Sequence, residues 1–409
     1  MFENLYITSR CGAWLSENYH LVLVDFPSLK LYVLNPELSA ICLMLIDSNL
    51  NKDELINSCS SQFGISRVKA SEIIDSLIKN ASSIDFIKVD NNGRFKFEFP
   101  TLKNELSIQA LENDWTKDFI IEKKYYKFGD QPFSIVTTIP SSFDQRQIKS
   151  NINLLFKDFE LIDNKKNCQL SNIVLLFEEE GILLSVDQSN GFKKIKSKEA
   201  VTEIIIKSFE ISYPNNKILC FFHAAGLSIG ESGMVLAGVS GAGKSTLSSF
   251  LFHKGWSYLG DDTIGIGLEK DTNMPVILPF PTPAKIKRGS HFVLRNLYPE
   301  IEELPDIQYG PKVARFLTVD RAKTNLSKPK IKILVFPKYV SGSKLIIKKI
   351  NPIDALVELE ATGMTLQEGI SGSDIDVFLH VLSQLPIYRA VYSDLDEVSN
   401  WFYTIANNW

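Results

Sequence analysis

A chain of 409 residues is longer than one ordinary core supports, so two or three domains are expected. With 44% hydrophobic and 22% charged residues it has the composition of a globular protein, and a formal net charge of −4 supplies no basic field to hold a nucleic-acid backbone. Five scattered cysteines without C-x-x-C spacing argue against a disulfide framework or a zinc site.

The runs His20–Phe26 and Leu29–Leu34, on either side of Pro27-Ser28, predict a hairpin. Asn35-Pro36-Glu37 then opens a helix, with Asn as cap, Pro at the first helical position and an acid near the positive dipole end. Its apolar residues Leu38, Ile41, Cys42, Leu45 and Ile46 keep helical spacing. Asn51 and Glu54 have the spacing of a capping box, ahead of Leu55, Ile56, Cys59 and Phe63 on one face. Ser66 caps a third helix carrying Ile73, Ile74, Leu77 and Ile78. Asp85–Val89 and Arg94–Phe99, around Asn91-Asn92-Gly93, predict a closing hairpin. Three capped helices and a β-wing define an α+β winged-helix module over residues 1–100. Winged helices also bind DNA, but the basic residues of this third helix are Arg67, Lys69 and Lys79, too few for a basic face, and no nucleic-acid partner is expected.

Residues 101–215 are expected to form an α+β intermediate region belonging to the domain that follows. Alternation at Ser134–Thr138, Ile173–Phe177 and Ile182–Val186 predicts strands of a mixed sheet, and Ile148–Phe156 and Lys198–Phe209 read as helices. From Ile218 the pattern becomes strand, glycine turn, helix, strand, the layout of an α/β nucleotide fold over residues 216–409.

Gly238-Val239-Ser240-Gly241-Ala242-Gly243-Lys244-Ser245 fits G-x-x-x-x-G-K-[ST] at every fixed position. Met234–Ala237 before it reads as a strand, and Thr246–His253 after it as a helix with Leu247, Phe250 and Leu251 at helical spacing. At such a turn, backbone N–H groups and the helix N-terminus converge on phosphates. The glycines let the chain curl around phosphate oxygens. Lys244 is expected to neutralise the outer phosphates, Ser245 to take a Mg²⁺ position, and Thr246 to add a second hydroxyl. ATP and Mg²⁺ are the cofactors this implies.

Asp261-Asp262 lies at a break between the apolar runs Trp256–Gly260 and Thr263–Ile266, where a second strand would end beside the loop. Phosphoryl transfer with a metal needs one carboxylate for Mg²⁺ and a group to take the proton of the attacking hydroxyl. Neighbouring residues of a strand point to opposite faces, so one acid of the pair is expected to face the phosphates. His223 lies 15 residues before Gly238 at the end of the apolar run Ile218–Phe222. Its position alone is that of a structural histidine beside a strand.

Together, His223-Ala224-Ala225-Gly226, the loop Gly238–Ser245 and Gly260-Asp261-Asp262 resemble the catalytic core of HPr kinase/phosphorylase, over about Ile218 to Ile266. The resemblance implies that one of Asp261 and Asp262 is the catalytic base, that His223 stands near the phosphates with Lys244, and that Ser245 and Asp262 hold the metal. Segments such as Leu385-Pro386-Ile387-Tyr388-Arg389 and Leu334-Val335-Phe336-Pro337 are similar to diverged members of that group. Two departures stand out. The glutamate that the family places some two dozen residues after the acid pair has no counterpart, and Lys285, Lys287 and Arg288 occupy its neighbourhood. The family's arginine-bearing loop for a protein substrate has no counterpart either; Arg288, Lys312 and Arg315 are the candidate cationic clamps. The amino-terminal module resembles PqqD-like domains, winged-helix units that hold the leader of a ribosomally made precursor peptide as an added strand. For such a module the His20–Leu34 hairpin is the expected edge.

The expectation is therefore a kinase that phosphorylates a Ser or Thr hydroxyl of a precursor peptide, with the leader held at residues 1–100. The alternatives are a kinase of a small hydroxylated metabolite and a nucleotide-gated binding protein without catalysis. No apolar run approaches the roughly 20 residues of a membrane span, and Met1-Phe2-Glu3-Asn4 lacks the features of a signal peptide. A cytoplasmic protein without membrane contact follows, with a homo-oligomer compatible.

Overall fold

The computed structural model describes the chain apart from residues 8–10, 27–28, 48–49, 83–86, 91–93, 98–120, 141, 162–169, 179–180, 188–190, 271, 310–311 and 319–326. It is a mixed α/β protein with several sheets. The chain forms two compact units, one of residues 1–104 with 351–361 and 365–385, the other of residues 105–350, 362–364 and 386–409. A division at residue 100 therefore misses two later segments that cluster with the amino-terminal unit. Among the described residues no helix is long and apolar enough to cross a membrane.

In the first unit β1 (Phe2–Ile7), β2 (Cys11–Ser16), β3 (Leu21–Asp25) and β4 (Lys30–Leu34) form an antiparallel sheet in that order. The expected hairpin is β3–β4, and its Pro27-Ser28 turn lies outside the described residues. Every residue of β3 is buried, which explains why it reads as a continuous apolar run instead of an alternation. Next come α1 (Pro36–Asp47), β5 (Leu50–Asn51), α2 (Lys52–Phe63), α3 (Arg67–Ser82), β6 (Ile87–Val89) and β7 (Arg94–Phe97). With β7 pairing both β5 and β6, this is the helix–strand–helix–helix–strand–strand order of a winged helix.

The caps are in place. Asn35 Oδ1 accepts from Leu38 N–H at 2.9 Å, Asn51 and Glu54 close a reciprocal box at 2.9 and 2.8 Å, and Ser66 Oγ accepts from Lys69 N–H at 3.2 Å. Leu21, Leu23, Ile41, Leu45, Leu55, Ile74 and Phe95 share one core with the free thiols of Cys42 and Cys59. The helices Pro352–Ala361 and Gly372–Gln384 complete the unit. Trp14 Nε1 donates to Asp376 at 2.5 Å, and Asn4 Nδ2 lies 3.2 and 3.3 Å from its two carboxylate oxygens.

The second unit begins with β8 (Ile121–Tyr126), β9 (Phe133–Thr138), α4 (Phe143–Phe156), β10 (Ser171–Glu178), β11 (Gly181–Val186), β12 (Lys193–Ile195) and α5 (Ser197–Ser212). The expected mixed sheet is present: β10 runs parallel to β9, and the other pairs are antiparallel. Its core is an aromatic cluster in which Phe128, Phe156, Phe159 and Phe209 pack around Phe280, with Phe133 against Phe128 and Phe156. Phe280 follows the last strand residue Leu278 by two positions, and Phe221 and Leu278 of the larger sheet belong to the same cluster, so one core serves both sheets.

That larger sheet contains β13 (Asn216–Phe222), β14 (Ala224–Ile229), β15 (Ser232–Ala237), β16 (Ser257–Gly260), β17 (Ile264–Glu269), β18 (Pro275–Leu278) and β22 (Lys330–Tyr339), in the order β16-β14-β15-β22-β18-β17-β13. Strand β15 runs parallel to β22, which runs parallel to the strand Ile387–Tyr392. Helix α6 (Lys244–His253) packs Leu247 and Leu251 on Met234, Leu236 and Val335 of this parallel core. A three-stranded sheet of β19 (Ala284–Lys287), β20 (Ile307–Tyr309) and β21 (Lys312–Leu317), with α7 (Arg288–Leu294), stands by the amino end of α6.

Candidate functional site

The phosphate loop joins β15 to α6. Gly238, Gly241 and Gly243 have φ of 154°, 95° and 97°, so only glycine fits the last two without strain. At Gly243 space adds to the demand: a Cβ there would lie 2.7 Å from Tyr392 Oη and 3.3 Å from Tyr339 Cβ. The loop is pinned by Ala242 N–H donating to Val239 O at 3.1 Å and by Tyr339 N–H donating to Ala242 O at 3.1 Å. Lys244 Nζ donates to Gly238 O and reaches Val239 O at 3.5 Å, so its ammonium arches over its own loop. The first N–H groups of α6 have no partners within the helix, and the loop gathers them at one point.

That point is an open cavity of about 450 Å³ lined by the loop, His223, both aspartates and β19. Of the expected phosphate-binding residues, Ser240, Gly241, Gly243, Lys244, Ser245 and Thr246 line it. Gly238, Val239 and Ala242 shape the loop instead through their carbonyls, and the Val239 side chain is exposed. The Thr246 hydroxyl is engaged by Ser290 Oγ at 2.5 Å, which ties α6 to α7.

The acid pair departs from the expectation. Both carboxylates line the cavity, because the residues after β16 turn and Asp262 takes a left-handed backbone with φ of 79°. The rule of opposite faces holds for a continuing strand, and this one has ended. The turn is seated by contact: Gly260 pairs with Gly226 across β14, and a Cβ on Gly260 would lie 2.5 Å from Phe280 O. Thr282 Oγ1 donates to Asp261 O at 3.2 Å.

The two acids sit in opposite environments. Asp261 is buried, and burial raises its carboxyl above the ordinary value, with the neighbouring Ser245 hydroxyl opposing the shift. Its Oδ2 is buried without a hydrogen-bond partner. Burial also opposes ionisation of Asp262, but Lys285 and His223 outweigh it and hold that carboxyl below its ordinary value. Lys285 Nζ pairs with Asp262 Oδ2, and His223 Nδ1 lies 3.2 Å from Asp262 Oδ1 and 3.0 Å from Asp262 O. Burial lowers the His223 pKa, with Lys244 adding to it and Asp262 opposing, so the imidazole is neutral at pH 7. Asp262 was expected to join Ser245 at the metal. In this site Ser245 stands beside Asp261, and the left-handed turn brings Asp262 to the histidine and Lys285.

Lysines 285 and 287 fill the place where the resemblance leads one to expect an acid. Strand β19 alternates: Ala284 and Ile286 are buried in a core with Tyr258 and Leu294, while Lys285 and Lys287 face the cavity. Lys287 Nζ donates to Ser240 Oγ at 2.8 Å. The short A-K-I-K alternation was the available sequence signal. The cationic clamps fare differently. Arg288 and Arg315 both pair with Asp306, at 3.0 and 2.9 Å, and neither lines the cavity; the Lys312 side chain lies outside the described residues.

No protein-family profile matches this chain, and no curated protein is similar to it in sequence. Among solved structures, the HPr(Ser) kinase/phosphatase from Coxiella burnetii superposes at a TM-score of 0.22 and 12% identity, over 45% of this chain and 97% of that one. At that level the likeness bears on neither fold nor activity, which rest on the site itself.

Proposed function

We propose that this chain is a cytoplasmic ATP-dependent kinase that phosphorylates a hydroxyl, that of a Ser or Thr in a ribosomally made precursor peptide, whose leader the winged-helix unit holds in the manner of a PqqD-like domain. The observation that carries the kinase reading is the convergence in one cavity of the phosphate loop with Ser245, Asp261, Asp262 and His223.

The residues present fit a nucleotide with Mg²⁺. A buried carboxylate oxygen without a partner, next to a hydroxyl at the end of a phosphate loop, is the oxygen donor set that Mg²⁺ shares with phosphates. Asp261 and Ser245 would hold the ion, which supplies charge neutralisation between the outer phosphates. Lys244 and the α6 amides bind and orient the phosphate tail. Asp262 accepts the proton as the acceptor oxygen bonds to phosphorus and the bond to the departing diphosphate breaks. A carboxylate of low basicity suffices, because little proton transfer is needed in a loose phosphoryl transition state. With a proton on Nδ1, His223 donates to Asp262 and keeps it aimed.

The peptide part of the reading is supported within the first unit. Its end strand β4 runs into Asn35 and Leu38, which with Glu37, Lys69, Glu72, Ile73 and Ser76 line a groove of about 280 Å³ between α1 and α3. An extended peptide recognised by sheet addition needs such a strand-and-helix slot. The test is ATP consumption with a candidate precursor peptide, followed by mass spectrometry of the peptide. Lys244→Ala is expected to reduce turnover by at least about a thousandfold with the fold retained. Undiminished turnover in that variant refutes the kinase reading.

A further inference from the structure

We infer that β19 is a second phosphate-binding wall of this site, with Lys287 a direct ligand of the nucleotide's phosphate tail and Lys285 the residue that positions and neutralises Asp262. The inference rests on the nucleotide reading above and goes beyond it, because neither lysine belongs to the loop motif.

Three observations support it. First, the strand register puts both lysines on one face, since Ala284 and Ile286 are committed to the core on the other. In the paired strand β21, Ala314 lies opposite Lys287 and also lines the cavity, so a small residue there leaves the lysine room to move over the loop. Second, Lys287 reaches across the cavity to Ser240, the third residue of the loop, at 2.8 Å. Its ammonium therefore already hangs over the concave side on which a phosphate would lie. A flexible four-carbon stem lets it exchange a neutral hydroxyl for a charged phosphate oxygen, a stronger partner.

Third, the charge balance needs them. Without β19 the cavity would hold one lysine, Lys244, against two aspartates, and a polyphosphate tail would meet Asp262 unshielded. With β19, among the described residues, three lysines face two aspartates. Lys285 pairs with Asp262, while Lys244 bonds the Gly238 carbonyl and Lys287 the Ser240 hydroxyl, so two ammonium groups flank the loop where the phosphates would lie. The site thereby gains from fixed side chains the positive charge that a further divalent cation would otherwise supply.

The experiment is calorimetric titration of the full chain with MgATP and with AMP, in low and high KCl. Lys287→Met is expected to weaken MgATP binding by about tenfold or more and to flatten its salt dependence, with AMP binding unchanged. Lys287→Arg, which keeps the charge, is expected to retain most of the affinity, and Lys254→Met, a charge-matched control on the far end of α6, all of it. Lys285→Met is expected to weaken MgATP binding, and adding Asp262→Asn to restore it. An affinity in Lys287→Met within about twofold of the unmodified chain, or an equal loss for AMP and ATP, overturns the role of Lys287. Failure of Asp262→Asn to restore binding overturns that of Lys285. Absence of any MgATP heat from the unmodified chain would instead refute the nucleotide reading itself.

Discussion

The Ser245 hydroxyl stands beside the buried carboxyl of Asp261 and favours its ionised form, which couples the first turn of α6 to the turn that follows β16. One oxygen of that carboxyl is buried without a hydrogen-bond partner. A native protein tolerates such an orphan where function requires it.

From this follows a trade between stability and activity. The folded state raises the Asp261 pKa above its ordinary 3.8, so folding favours the protonated form and stability is lost as pH rises from that value through the folded pKa. Asp261→Asn removes the buried charge. It is expected to raise stability by about 1 kcal/mol at neutral pH, a gain that vanishes below about pH 4, and to weaken Mg²⁺-dependent nucleotide binding by about tenfold or more. Thermal melts across pH and calorimetry with and without Mg²⁺ read both effects. A variant less stable at pH 7 than the unmodified chain contradicts the assignment.

Asp262 behaves in the opposite sense. Its carboxyl is held below its ordinary 3.8 by Lys285 and His223 despite burial, so the ion pair stabilises the fold above that value and is lost as pH falls through the folded pKa. The acid limb of the rate profile is therefore expected below pH 4, with no loss from this group between pH 5 and 8. Asp262→Asn is expected to lower kcat by about 10²- to 10⁴-fold while nucleotide affinity is kept or improved, because a negative charge leaves the phosphate site. A parallel fall in kcat and in nucleotide affinity would show that the residue binds and does not act on the acceptor.

The site is partly legible in the sequence. The phosphate loop could be read because each glycine and the Lys-Ser pair answer a local backbone demand, and the box at Asn51 and Glu54 could be read for the same reason. The partition of the two acids could not. It depends on the positive φ of Asp262 and on the seating of Gly260 against Phe280, a contact made across the sheet. Strands β1 and β2 escaped notice because Phe2–Ile7 mixes Glu and Asn into a short run, and its pairing partner supplies what periodicity does not. Helix α4 was foreseen only from Ile148, although Ser142 and Gln145 form a capping box that sets its start at Phe143.

If the groove between α1 and α3 holds the leader, a charge at its apolar wall should act on the peptide alone. Ile73→Lys is expected to raise KM for the precursor peptide by about tenfold, leaving kcat and the KM for ATP in place. Steady-state kinetics with full-length and leaderless peptide separate the cases. An unchanged KM sinks the groove as the leader site.

The tie between Trp14 and Asp376 bears on how such experiments are designed. Trp14→Phe removes the donor at 2.5 Å and is expected to destabilise the first unit by about 1–2 kcal/mol, read as an earlier melting transition. Deleting residues 1–100 would strip the helix Gly372–Gln384 of its partners in that unit, so loss of activity in such a truncation reports folding as well as peptide binding. Point changes in the groove are the cleaner probe.

The same tie sets an order of events during synthesis. The amino-terminal strands leave the ribosome first, yet Asn4 and Trp14 wait for a carboxylate made more than three hundred residues later. Until then the nascent segment carries an unfinished surface, and at roughly 10 residues per second that interval lasts tens of seconds. Residues 105–350 of the second unit are thus translated before the module that comes first in the chain is complete, and residues 386–409 only after it, so a ribosome that stalls before Asp376 releases a product with neither unit whole.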